Sequence, residues 1–305
     1  MYHYKAFGLN ILSDIQLPEL SDGDAQNVVD LQIKSASIKL PVLANTQLYR
    51  RGIRASFAQD PDENLYLHWK GIASFKAIDG NILMVNTLTD NENLISLFTV
   101  SEALGLILFQ RNMFLLHASA VQVGDEGWCF MGKPGAGKST TAAAFVKAGC
   151  NLLSDDLTAI GFDEKGVAYI VPAYPQLKIW DTTVNGLHYD KSGLQPVSEG
   201  VNKFAYHPKA DFSHERVPLK EVFFLHNARN KKPQVPLTPA EVPMETLKNF
   251  PLPSQLLTRE ALKNHFLQSF QCTKSAKLWK KKRPDGFENL EKWVNEHVAE
   301  QLITG

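Results

Sequence analysis

The chain has 305 residues, enough for one large domain or two modest ones, and is 44% hydrophobic and 21% charged, the composition of a soluble globular protein. Its 32 basic and 32 acidic residues leave a formal net charge of +0, so charge points to neither a nucleic acid nor a polycation as partner. Cys129, Cys150 and Cys272 lack metal-ligand spacing and read as reduced, buried thiols. Met1-Tyr-His-Tyr-Lys5 has no secretory pattern, and the apolar stretches read as too short and interrupted to span a bilayer. The expected location is the cytoplasm, with no membrane partner.

Residues 1–90 read as a β-rich N-terminal domain. Alternating runs at Tyr2–Leu12, Val28–Leu40, Arg51–Ala58, Leu65–Ile72 and Ile82–Leu88 are separated by turn clusters at residues 21–24 and 60–64. No catalytic constellation stands out there. Asp90-Asn-Glu-Asn93 then opens a helix that runs through Leu94, Leu97, Phe98, Leu104 and Ile107 to about Arg111. It is apolar nearly all round, which predicts a buried element at the entry to a second domain, residues 91–305. Met113–Val123 predicts a strand carrying His117. Asp125-Glu126-Gly127 turns it into the short apolar strand Gly127–Met131, and two strands joined by so short a turn are antiparallel.

Gly132-Lys133-Pro134-Gly135-Ala136-Gly137-Lys138-Ser139-Thr140 is a complete G-x-x-x-x-G-K-[ST] phosphate loop. Successive backbone N–H groups of such a loop wrap nucleotide phosphates, Lys138 reaches the β- and γ-phosphates, and the Ser139 hydroxyl can ligate magnesium. The residues up to Lys147 are rich in helix formers, with Gly149 as the predicted C-terminal cap. The loop thus sits at a helix N-terminus, where free N–H groups and the macrodipole favour anions. Strand, loop and helix together predict binding of ATP or GTP.

The pair Asp155-Asp156 follows Lys138 by one helix, one turn and one strand, a crossover that returns it to the sheet end of the phosphate loop. An acid there can bind the magnesium that Ser139 touches, and a second carboxylate can accept a proton from an attacking hydroxyl. Neighbouring strand residues face opposite sides, so both acids can serve only if the strand ends or bulges there. His117 can stabilise charge or orient a carboxylate. Further strands are expected at Val167–Val171, Gln176–Trp180 and Leu219–His226, with residues 184–215 polar and irregular. Helices are expected at Met244–Asn249 and Arg259–Phe270, and a last one, Phe287–Leu302, places Leu290, Trp293, Val294, His297 and Val298 on one side. The basic run Lys280-Lys-Lys-Arg283 reads as a solvated turn, with docking of an acidic peptide as the alternative.

The run Leu116-His-Ala118, the loop Gly132–Ser139 and Leu153-Ser-Asp-Asp156 together resemble the catalytic core of bacterial HPr kinase/phosphorylase. They look closest to the HPr-kinase-like proteins found with biosynthesis of modified peptides such as lasso peptides. The resemblance covers about residues 113–181. It implies an α/β fold with the mixed-sheet P-loop kinase core shared with phosphoenolpyruvate carboxykinase, here with a β-rich N-terminal region and C-terminal helices. It implies catalytic roles for His117, Lys138 and Asp156, and magnesium ligation by Ser139. Asp155, taken as the second magnesium ligand, completes the catalytic set. The family's magnesium-binding glutamate lies one strand further on, where Asp181 is the nearest acid. Lys178, Lys203 and Arg216 are candidates for an additional positive charge.

The function so read is ATP- and Mg2+-dependent transfer of the γ-phosphate to a hydroxyl, in particular a serine of a peptide or small protein such as a ribosomally made precursor peptide. A small-molecule acceptor, and a nucleotide-binding interaction protein without phosphotransfer, remain the alternatives. A homo-oligomer is compatible with either.

Overall fold

The computed structural model describes residues 1–197, 202–208, 212–227 and 232–304, the last four by backbone only. Backbone contacts group Met1–Leu115 with Phe250–Asn264, and Leu116–Asn249 with His265–Gly305. The helical segment after residue 90, expected to open the second domain, is therefore grouped with the β-rich residues.

In the first unit, Phe7 and Gly8 both have positive φ, 52° and 69°, as a two-residue primed hairpin turn requires. They split the run Tyr2–Leu12 into β1 (Tyr2–Ala6) and β2 (Leu9–Ser13). Seven strands follow: β3 (Ser21–Asp22), β4 (Leu31–Ser35), β5 (Ala44–Arg50), β6 (Ile53–Gln59), β7 (Leu65–Trp69), β8 (Ala73–Ile78) and β9 (Ile82–Thr87). They form one sheet in the order β3-β1-β2-β4-β9-β8-β7-β6-β5. The alternation of β2 is literal: Leu9, Ile11 and Ser13 are buried, with Asn10 and Leu12 half-buried between them. Strand β5 gave no such signal. It is an edge strand whose residues are mostly exposed, so no apolar face is written into it.

The apolar helix is interrupted. Asn91 caps α1 (Glu92–Phe98), its side chain accepting from the Leu94 N–H at 3.1 Å. A π-helical turn, Thr99–Ala103, with Ser101 at φ −96° and ψ −113°, precedes α2 (Leu104–Gln110). The segment Glu92–Gln110 is long and apolar enough to cross a bilayer, with a mean hydropathy of 1.5, which corrects the reading that the chain has no such stretch. Of that stretch, 72% is buried inside the protein. Core burial accounts for an apolar surface on every side.

The second unit carries the hairpin. After β10 (Phe114–Leu116), His117 stands outside regular structure and β11 (Ala118–Val123) begins, so the single strand expected at Met113–Val123 is two. Strand β12 (Glu126–Met131) pairs antiparallel with β11. The turn is Gly124-Asp125, beginning one residue earlier than expected, because Gly124 supplies the positive φ of 58°. Then come α3 (Lys138–Lys147), β13 (Asn151–Ser154), β14 (Thr158–Phe162), β15 (Ala168–Val171), β16 (Leu177–Trp180), α4 (Asp181–Gly186), β17 (Gln195–Pro196) and β18 (Lys203–Tyr206). The expected irregular stretch 184–215 thus contains two short strands; residues 198–201 and 209–211 lie outside the described residues. The chain continues through β19 (Val217–His226), β20 (Gln234–Pro236), α5 (Val242–Leu247), α6 (Arg259–Cys272), β21 (Lys277–Lys282) and α7 (Gly286–Thr304). The basic run is therefore strand rather than turn up to Lys282.

Strand β11 lies between β12 and β13, antiparallel to both, and β12 runs parallel to β19, as β19 does to β21. Helix α3 thus crosses over β11, and the C-terminal ends of β12, β13, β19 and β21 share one sheet edge with the start of β11. Under that edge, Phe130 stacks on Phe145 of α3 (5.3 Å, 24°) and on Phe223 of β19 (5.8 Å, 21°). Trp293 of α7 meets Phe145 and Phe223 edge-on. Leu290, Trp293 and Val294 are buried in this cluster, with Val298 packed against it, and His297 rests on Trp128 and Trp293, so the predicted face of the last helix is its core face.

Candidate functional site

The loop after β12 bends where its glycines permit. Gly132, Gly135 and Gly137 have φ of 145°, 82° and 96°. Gly137 is the N-cap of α3, and Lys138 begins the helix. Lys138 Nζ donates to the Gly132 carbonyl at 3.0 Å, folding the side chain back along the loop. Burial pushes its ammonium below the usual lysine range, while Asp156 and Asp155 pull it back up. Thr140 faces inward, its hydroxyl 2.9 Å from that of Thr183 in α4. A cavity of about 610 Å³ opens beside the loop; residues 132–136 line it with His226, Glu245, Lys248, Asn249 and Lys280.

The acid pair meets the condition set by strand alternation. Strand β13 ends at Ser154, and Asp156 has φ 66°, so the two carboxylates leave a turn rather than opposite faces of a strand. The Ser154 and Thr158 hydroxyls, 2.6 Å apart, close that turn, and Thr158 Oγ1 donates to the Ala118 carbonyl at 3.1 Å. Asp155 is buried. Its Oδ1 accepts from Ser139 Oγ (2.9 Å) and Ser119 Oγ (2.6 Å), and its Oδ2 accepts from the Lys178 N–H (2.9 Å). Burial raises its pKa, and the neighbouring Asp156 raises it further; Lys203 and the hydrogen bonds from Ser119 and the Lys178 N–H act the other way. Asp156 is more open, and Lys178 Nζ lies 3.6 Å from its Oδ2. Lys178 therefore holds one acid by its main chain and the other by its charge.

The structure brings Lys138, Ser139, Asp155 and Asp156 to one place. His117 stands one residue before the start of β11, at the same sheet edge, with Ala118 paired to Met131 and its own N–H donating to the Asn249 carbonyl at 2.8 Å. Asp181 is held elsewhere: it starts α4, and Lys191 (2.9 Å) and Asn185 (2.7 Å) occupy its carboxylate. Of the candidate cations, Lys178 and Lys203 act on the acid pair, and Arg216 lies over the Tyr169 ring at 4.9 Å. Ser119 carries little signal in the sequence: it stands on the strand next to the phosphate-loop strand, two residues past His117, and nothing there aims its hydroxyl at Asp155.

A divalent cation fits this donor set. Ser139 and Asp155 present hard oxygen ligands, and burial disfavours the Asp155 charge that a cation would offset. Among the described residues no group of three or more His, Cys, Asp or Glu side chains is placed to hold a metal.

No protein-family model matches the chain, and no curated protein matches it. Among solved structures the chain is similar to the Hpr(Ser) kinase/phosphatase from Coxiella burnetii, at 13% identity and a TM-score of 0.27, over 50% of this chain and 97% of that one. A likeness this remote assigns no activity, which has to be argued from the residues of the site.

Proposed function

We propose that the chain is an ATP- and Mg2+-dependent phosphotransferase that moves the γ-phosphate to a hydroxyl, in the first instance a serine of a peptide or small protein. One observation carries the reading: Ser139 of the phosphate loop and Asp155 share a hydrogen bond of 2.9 Å, with Asp156 turned out beside them. Phosphoryl transfer asks for alignment and charge neutralisation more than covalent help. The loop N–H groups and Lys138 hold the phosphates. Magnesium bound by Ser139 and Asp155 would neutralise charge on the phosphate oxygens. Asp156 takes the proton of the attacking hydroxyl, and Lys178 positions its carboxylate. His117, at the same edge, supports developing charge.

A second reading takes a small-molecule hydroxyl as acceptor; the cavity of about 610 Å³ beside the loop has room for a small ligand, although Asp156 is not among its lining residues. The test is γ-labelled ATP offered with peptides and with hydroxyl metabolites, the product located by mass spectrometry. Asp156→Asn should bind nucleotide and fail to transfer, whereas Lys138→Ala should lose both. Label on a metabolite and on no peptide selects the second reading. Transfer that survives Asp156→Asn refutes the assignment of the base, and native protein that binds no nucleotide refutes the whole reading.

A further inference from the structure

The first residue beyond β21 is Arg283, and its N–H donates to the His226 carbonyl at the end of β19 at 3.0 Å. From there its side chain runs over the phosphate loop. A Cβ placed on Gly137 would stand 2.5 Å from Arg283 Cδ, 2.9 Å from Nη1 and 3.2 Å from Nε. Glycine at 137 thus serves two ends, the φ of 96° and the space the guanidinium occupies.

The other cations of the run are engaged. Lys280 pairs with Glu241 at 2.6 Å, Lys282 with Asp285 at 2.6 Å, and Lys281 lies over the Trp293 ring at 4.8 Å. Among the described residues no carboxylate pairs with Arg283. It lies instead against a phosphate loop that already holds Lys138, and at the positive end of α3, where a second positive charge is unfavourable until an anion joins. A guanidinium presents a rigid fork of donors that matches phosphate oxygens two at a time.

We propose that Arg283 is a phosphate-binding residue of the nucleotide site, brought to the loop by the end of β21. This rests on the nucleotide-binding reading above, and the experiment separates the two. Fluorescent ATP is titrated against native protein, Arg283→Gln and Arg283→Lys, with melting of each nucleotide-free protein as the check on folding. Arg283→Gln keeps most of the stem and loses the charge; it should bind roughly 10- to 100-fold more weakly, the equivalent of one or two charge-assisted hydrogen bonds. Arg283→Lys, with charge but no fork, should fall between. Native affinity in either folded variant overturns the proposal and leaves the nucleotide site standing, whereas a native protein that binds no ATP overturns both.

Discussion

A methyl group added at Gly132 should destabilise the protein more than the same methyl added at Gly135. At Gly132 the new Cβ would lie 2.7 Å from the Leu225 carbonyl oxygen and 2.9 Å from Ala136 Cβ, at φ 145°. The Leu225 carbonyl cannot easily retreat, because β19 is hydrogen-bonded to β12 on one side and β21 on the other. The strained backbone costs about 1–3 kcal/mol, and overpacking adds about 1–3 kcal/mol. At Gly135 nothing lies within 4 Å, so only the left-handed φ of 82° is charged against alanine, about 1–2 kcal/mol. At roughly 2–4 °C per kcal/mol, Gly135→Ala should lower Tm by about 2–8 °C and Gly132→Ala by about 4–24 °C. Thermal unfolding of both variants beside the native chain, without nucleotide, is the measurement. Equal losses, or a larger loss at Gly135, would refute the argument that β19 walls in the first glycine of the loop.

Three further outcomes follow from the same unit. His265 is buried, its Nε2 is 3.2 Å from Thr246 Oγ1, and burial lowers its pKa to about 4. The folded state keeps it neutral, so its contribution is intact above about pH 6.5 and is lost as pH falls toward 4, at about 1.4 kcal/mol per pH unit. Urea midpoints from pH 7 to 4 should fall less steeply in His265→Gln, and parallel curves would contradict this. Phe130 is fully buried between Phe145 and Phe223, so Phe130→Ala should cost about 3–5 kcal/mol in denaturant unfolding; a loss under about 1 kcal/mol would mean the stack does not hold α3 to the sheet. Ser119→Ala leaves the buried Asp155 carboxylate one donor short and should cost about 1.5–3 kcal/mol by the same method. No measurable loss would show that Asp155 does not depend on that hydroxyl.

The local features of this protein are written into short stretches of its chain. The phosphate loop is legible because the glycines, lysine and serine that shape it lie within nine residues and a run of helix formers follows at once. The hairpin before it is legible because too few residues separate two apolar runs for a crossover. The buried face of α7 follows from its 3.6-residue period. Even the acid pair could be placed at the loop, since one helix and one strand leave the chain little choice of where to return. Contacts between residues far apart in the chain arise only from the packed fold. Ser119 reaches Asp155 because β11 happens to lie between β12 and β13. Lys178 grips both acids because the start of β16 passes under them. Arg283 lies on Gly137 because β21 joins the sheet parallel to β19. Each position is set by strand order and pairing, parallel or antiparallel, which are energies of long-range packing that no short pattern of residues contains.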